Sequence, residues 1–225
     1  MIVEIYSDVV CPWCYIGKRK LEAALADYEG RDDLQIIWRP FQLDPGAPAT
    51  PTPVIDAYAR KFGGPDQAVR IIDRMTRVAA EVGLDFHLEN AKRANTFLAH
   101  RLLGWALQHH GHEAQGRLKE RLLKAYFTDA LDVSDRGVLA RLAGEVGLPE
   151  DDAAVFLESD EGAAELRAEL EHAWREGITA VPTFVFGERW TVPGAQEPET
   201  FLRVLERVQP MLDAERVCTD DVCEI

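Results

Sequence analysis

The chain has 225 residues, 47% hydrophobic and 28% charged, the balance of an ordinary globular protein long enough to bury a real core. Lys+Arg 25 against Asp+Glu 39 leaves a net charge of -14, which repels phosphate backbones and anionic lipid, so nucleic acid and membranes are not expected partners. No run approaches the ~20 apolar residues of a membrane span and the first residues carry no leader pattern, so the expected compartment is the cytoplasm.

The alternation in residues 2–7 predicts a strand. Asp8-Val9-Val10-Cys11-Pro12-Trp13-Cys14 follows it, then a helical pattern through Ile16, Leu21, Leu25 and Tyr28 that stops at Gly30. A second strand is expected over Leu34–Arg39. The turn-forming segment 44–53 then interrupts regular structure. Helices dominate beyond it. Val69, Ile72, Thr76 and Ala79 share one face, ending at Gly83. Asn95 is placed to cap a helix carrying Leu98, Leu102, Trp105 and Ala106, stopped near Gly111; Leu118, Leu122, Ala125 and Tyr126 form the next stripe. Ser134 is placed to cap a helix with Val138, Leu142 and Val146, and Ala163, Leu166, Leu170 and Ala173 form the last long stripe of the block. Strands return over residues 182–186 and 189–192 around Gly187-Glu188, followed by a helix with Phe201, Val204, Leu205 and Val208.

The order βαβ, helices, hairpin, helix implies an α/β fold in which both ends of the chain build one sheet. The expected division is a discontinuous unit of residues 1–45 and 178–213, an all-helical insertion at 46–177, and a C-terminal tail at 214–225.

Four cysteines are too few for a disulfide scaffold, and paired cysteines in a reducing compartment point to redox or metal chemistry. A Cys-x-x-Cys pair at a strand-to-helix junction brings its Cα atoms within disulfide range, ~4.4–6.8 Å, so the bond can close and open without unfolding anything. Cys11 falls at the helix N-terminus, where free N–H groups favour a thiolate, and Pro12 suits the first turn. Cys11 is therefore the expected nucleophile and Cys14 the buried resolving thiol. Gly17, one turn on, lets the helix approach a neighbour closely. Pro182 after Val181 reads as a loop-to-strand transition; a cis Val181–Pro182 bond is the sharper alternative, presenting the Val181 backbone to an extended peptide and keeping metal off the thiolates.

Tyr6–Gly17 around the CPWC motif, with Gly177–Phe184 around Val-Pro-Thr, resembles the DsbA family of thioredoxin-fold oxidoreductases. Asn95–Leu102 and the pair Cys218-x4-Cys223 look like its FrnE branch. The resemblance implies a thioredoxin fold with a helical insertion and a cytoplasmic bacterial disulfide oxidoreductase or isomerase. Its partners would be protein thiols and disulfides or small thiols. Cys11 and Cys14 would be catalytic, with Val181, Pro182 and Trp13 binding substrate. It implies no cofactor beyond the redox-active disulfide, leaves glutathione open as a reductant, and carries no signal for oligomeric state. In the FrnE branch a pair such as Cys218/Cys223 exchanges electrons with the main motif. In a regular helix its i, i+5 spacing separates the Cα atoms by roughly 8–9 Å, so a bond there needs a turn.

Two other readings stay open. The superfamily includes kappa-class glutathione transferases and chromene-carboxylate isomerases, though these typically carry Ser where this chain has Cys11. Two cysteine pairs also fit a zinc-holding interaction module. No metal site is expected: His109, His110 and His112 read as a solvated helix end broken by Gly111. Asp8 reads as a turn or cap residue, and His100 and Asn95 as lining a groove near the motif.

Overall fold

In the computed structural model, residues 1–48 and 50–220 are described, with side chains through Asp213. Strand β1 (Ile2–Ser7) leads into helix α1 (Pro12–Ala26), and β2 (Gln35–Pro40) returns beside β1 in parallel, with Val3 opposite Ile36 and Ile5 opposite Trp38. At the other end of the chain, β5 (Thr183–Phe186) pairs antiparallel with β1, and β6 (Trp190–Pro193) completes a sheet of order β2-β1-β5-β6. Helix α8 (Pro198–Asp220) packs against α1. Val3, Ile5, Leu21, Phe184, Phe186, Phe201 and Leu205 fill this layer as one core. Both chain ends thus build a thioredoxin-like unit around the buried central strand β1.

The rest is helical. A short strand β3 (Thr52–Pro53) pairs with β4 (Lys92–Arg93), an exchange too brief for the sequence to signal. Helices α2 (Val54–Phe62) and α3 (Pro65–Glu81) follow β3. The buried face of α3 is Ala68, Ile72, Met75 and Ala79, so Val69 is exposed, one position off the expected stripe. The two helices expected on either side of Gly111 join as one long α4 (Phe97–Phe127), with non-helical Gly111 (φ 83°, ψ 174°) as its break. Asn95 does not cap it from the N-cap position, which is Thr96; its side chain instead accepts from Phe97 N–H at 2.9 Å.

Helix α5 (Arg136–Glu145) is capped by Asp135, not Ser134, because the Asp135 carboxylate is the group that accepts from Val138 N–H, at 2.8 Å. Helix α6 (Glu150–Glu158), which no sequence stripe marked, ends against the buried Arg101. That guanidinium donates to the Phe156, Ser159 and Glu161 carbonyls at 3.2, 2.7 and 2.7 Å, adding to the Ser159 N–H and hydroxyl that already donate to Phe156 C=O. Helix α7 (Ala163–Arg175) returns the chain to the sheet. The expected tail at 214–225 begins inside α8, whose backbone stays helical to Asp220.

Helix α4 joins the two units. Its Gln115 side chain lies along strand β2, the outer edge of the sheet, accepting from Trp38 N–H at 2.9 Å and donating to Trp38 C=O at 3.0 Å. A side-chain amide thereby substitutes for the strand partner that this edge lacks.

Candidate active site

Cys11 occupies the N-cap of α1 in an extended conformation (φ -90°, ψ 114°), and Pro12 starts the helix. The Cys11 N–H donates to Asp8 C=O at 3.2 Å, closing the turn out of β1. Cys14 N–H donates to Cys11 C=O at 3.1 Å, which sets both thiols in the first turn. Both cysteines are reduced and buried, Cys11 at 3% exposure and Cys14 at 1%, while Trp13 between them stands 37% exposed.

The loop before β5 lies over this turn. The Val181–Pro182 peptide is cis, and Cys11 Sγ–H donates to Val181 C=O at 3.7 Å. Gly17 makes the approach possible: a Cβ there would lie 3.2 Å from Pro182 Cγ and 3.3 Å from both Phe184 Cζ and Ala195 Cβ. The sequence-derived residues Cys11, Cys14, Val181 and Pro182 therefore meet at one place, and Trp13 flanks it on the solvent side.

Behind the thiols is a buried cluster of charge. Asp8 is fully buried, accepting from Leu43 N–H at 2.8 Å through Oδ2 and facing His100 Nε2 at 3.2 Å through Oδ1. Burial alone would raise its pKa; the His100 hydrogen bond and charge, the Leu43 amide and the Lys119 charge outweigh that and hold it below its ordinary value. Asp8 is thus a cross-link between β1, the segment after β2 and α4, beyond the turn role expected of it. His100 is buried inside that link and also lines a cavity of about 310 Å³ with Trp38, Arg39, Arg101 and Phe156.

Lys119 of α4 is also fully buried, its Nζ donating to Ser7 C=O at 3.5 Å and lying 5.3 Å from the centre of the Trp38 ring. Burial lowers its pKa to about 8, against the charges of Cys14, Asp8 and Cys11 that hold the proton on. The sequence reading passed over this lysine. Its position was the available signal: Gln115, Lys119, Leu122, Leu123 and Tyr126 fall on one helical face, and all are buried.

The two thiols titrate as a pair. The hydrogen bond between them, then burial and the Cys14 charge, push Cys11 well above its ordinary value. Cys14 moves down: burial opposes this, but the hydrogen bond from Cys11, the Lys119 charge and the Ser7 hydroxyl outweigh it. A cation stands behind Cys14, and the Asp8 carboxylate works against charge on Cys11.

Tyr58 of α2 is a further group that the sequence did not single out; burial, with the Cys11 charge, pushes its hydroxyl up to about 12. Away from the site, the His109 and His110 rings pack beside Trp105, with centroids 6.1 and 4.9 Å from it, which accounts for them as aromatic neighbours. Asn95 donates to Pro45 C=O at 3.1 Å and is a loop anchor. The tail pair falls outside this description: Cys223 and the side chain of Cys218 are not among the described residues.

Comparison with known proteins gives the same fold. The model of the DSBA-like thioredoxin domain matches residues 2–206. The Bacillus subtilis (strain 168) protein YwbO is 30% identical over 210 residues, spanning 92% of this chain and 96% of YwbO. The crystal structure of a probable DsbA oxidoreductase, SCO1869 from Streptomyces coelicolor, superposes with a TM-score of 0.85 at 35% identity, covering 93% of this chain and 90% of that one. The cytosolic disulfide reductase DsbM from Pseudomonas aeruginosa shares the fold at a TM-score of 0.65 and 19% identity, covering 94% of this chain and 100% of its own. A dithiol at the N-terminus of α1, set against the loop before β5 in a thioredoxin-like sheet, places this chain in the DSBA-like thioredoxin domain family of thiol–disulfide oxidoreductases.

Proposed function

We propose that this oxidoreductase works through the Cys11–Cys14 dithiol on protein disulfides or small disulfides. The observation that carries the reading is the reduced thiol pair, with Cys11 Sγ–H resting on the Val181 carbonyl. Cys11 is the nucleophile because it stands at the helix start beside that backbone, whereas Cys14 lies deeper. Its attack gives a mixed disulfide with one substrate sulfur, and Cys14 then displaces that sulfur to close the Cys11–Cys14 bond. Val181 and Pro182 offer backbone to an extended segment, and exposed Trp13 supplies apolar contact. The chain needs no resident cofactor for this cycle, with glutathione as a small-thiol reductant. The cytoplasm is the compartment that keeps such a pair reduced. Membership of the FrnE branch rests on the Asn95–Leu102 segment and the tail cysteines, and Cys218/Cys223 is proposed as a second dithiol exchanging with the first.

Insulin reduction and refolding of a scrambled disulfide protein test the assignment. Cys11→Ser is expected to abolish both activities, and unchanged turnover in that variant sinks the reading. In Cys14→Ser, where Cys11 cannot be resolved internally, a Cys11 disulfide to Cys218 or Cys223 is expected in the peptide map. Its absence removes the tail from the mechanism.

A further inference from the structure

The cavity that His100 lines, about 310 Å³ in volume, lies between the outer edge of β2, the first half of α4 and α7, and is at the small end of the range for ligand sites. None of Cys11, Cys14, Trp13, Val181 or Pro182 lines it, so it is separate from the dithiol face. Its interior is apolar and aromatic. Trp38, Leu103, Trp105, Phe156 and Leu166 are buried there, and the Trp105 and Phe156 ring centroids are 5.9 Å apart. Gly104 of α4 keeps the space open. It sits in regular helix, and a Cβ there would meet nothing within 4 Å, so neither backbone strain nor packing calls for glycine. Alanine would make the helix more stable, whereas glycine preserves room for an occupant.

The polar groups around this space favour a cation that also carries a hydrogen-bond donor. Glu161, Glu165 and Glu169 are exposed at the rim, the last two one turn apart on α7. Among the described residues no basic group lies within 4.0 Å of the Glu161 or Glu165 carboxylate, and Glu169 meets only Arg39, at 4.0 Å. The two guanidiniums that line the cavity are already engaged. Arg39 Nε donates to Glu4 at 2.7 Å, and Arg101 donates through Nε and Nη2 to backbone carbonyls. His100 is 3% exposed and its Nε2 faces Asp8 Oδ1 at 3.2 Å, while Nδ1 has no partner among the described residues. With the Nε2 proton directed at the Asp8 carboxylate, Nδ1 presents a lone pair, which takes a donor. An anionic ligand would face three carboxylates at the rim and that lone pair inside.

We infer that this cavity binds a small amphiphilic cation, with an ammonium at the glutamate rim, an apolar ring against Trp105 and Phe156, and a hydroxyl or N–H donor reaching His100 Nδ1. The site is independent of the assignment of Cys11 and Cys14. An occupant would touch the His100–Asp8 link without touching either thiol.

Calorimetric titration of the full-length reduced protein at pH 7 with three probes of one shape tests the inference. Tyramine carries both the ammonium and the hydroxyl and is expected to bind saturably at one site. 2-Phenylethylammonium lacks the hydroxyl and should bind roughly five- to tenfold more weakly, the scale of one hydrogen bond. 3-(4-Hydroxyphenyl)propionate inverts the charge and should bind at least ~30-fold more weakly than tyramine. Gly104→Leu fills the cavity and should weaken tyramine by tenfold or more, on the order of the loss when a bound group has no room, with insulin reduction unchanged. Glu165→Gln combined with Glu169→Gln should weaken it about fivefold or more, again with normal insulin reduction. Absence of saturable tyramine binding below ~10 mM, a Kd ceiling for a site this small, overturns the inference. So does binding of the propionate, or of 2-phenylethylammonium, as tight as that of tyramine, or tyramine affinity unchanged in both the Leu and the double Gln variants. Cys11→Ser should bind tyramine as wild type does, so a failed cysteine assignment and a failed cavity assignment give different results; loss of binding in that variant overturns the separateness of the site.

Discussion

Lys119→Met should make the protein more stable at neutral pH, against the usual effect of a core substitution. The lysine is fully buried, and its pKa falls from an ordinary 10.5 to about 8. At about 1.4 kcal/mol for each pH unit, keeping the charged form inside costs about 3 kcal/mol. The sign follows from proton counts: between about 8 and 10.5 the unfolded chain holds a proton that the folded chain has released, so stability rises with pH across that window. Below about 8 the full cost is present. Methionine removes it, and gives up only a 3.5 Å hydrogen bond to Ser7 and the contact with the Trp38 ring. A net gain of about 2 kcal/mol at pH 7 is expected, shrinking toward zero by about pH 10.5. Urea unfolding of the two reduced proteins at several pH values measures the difference. A Met variant less stable than wild type at pH 7, or a difference that does not change with pH, refutes the account of Lys119 as a poorly compensated buried charge.

Gly17→Ala should lose about 1 kcal/mol, because overpacking against Pro182, Phe184 and Ala195 outweighs the helix-propensity gain of up to ~1 kcal/mol. Its insulin reduction should fall further than its thermal midpoint suggests, since the displaced group is Pro182 beside Cys11. His100→Ala leaves the Asp8 carboxylate with the Leu43 amide and the more distant Lys119 charge, and should cost about 3 kcal/mol by thermal or urea unfolding. Asp8 stabilises above its unfolded pKa and ceases to as pH falls through its depressed folded value. Losing His100 raises that folded value, so acid unfolding should begin at a higher pH. Gln115→Leu leaves the Trp38 N–H and C=O unpaired at a sheet edge; a loss of about 2–4 kcal/mol is expected in urea, with concentration-dependent association in light scattering.

The parts of this molecule that were legible in the sequence are the ones written in short-range chemistry. Strand, Cys-Pro-Trp-Cys and helix follow one another within about two dozen residues, so β1 and α1 could be read from alternation, a proline at the helix start and an apolar period. Val181-Pro182 was legible for the same reason, as a loop running into a strand. Caps were read less well, because Ser134 and Asp135 are both good capping residues and only the backbone path decides that Asp135 accepts from Val138. The break at Gly111 was legible as a break but not as the bend of a single α4. What joins the site was hidden by distance: Asp8 and His100 are 92 positions apart, and nothing in either neighbourhood names the other.

Lys119 shows why a periodic pattern can be misread even when it is visible. The stripe Leu118, Leu122, Ala125, Tyr126 follows the apolar members alone and passes over the charged residue beside them. Yet Gln115 and Lys119 lie within that buried face, and both reach across to the sheet, one to Trp38 and the other to Ser7. A polar residue that interrupts a core stripe costs stability, so its presence is a reason to look for what it touches. Here both such residues lie on α4, the element that contacts β2 and reaches the back of the dithiol. The helical insertion therefore reaches the turn that carries the dithiol, since Lys119, whose charge lowers the Cys14 pKa, lies on α4. Removing the insertion, or loosening α4 from β2, should alter the titration of Cys14 even with every residue of the CPWC turn in place.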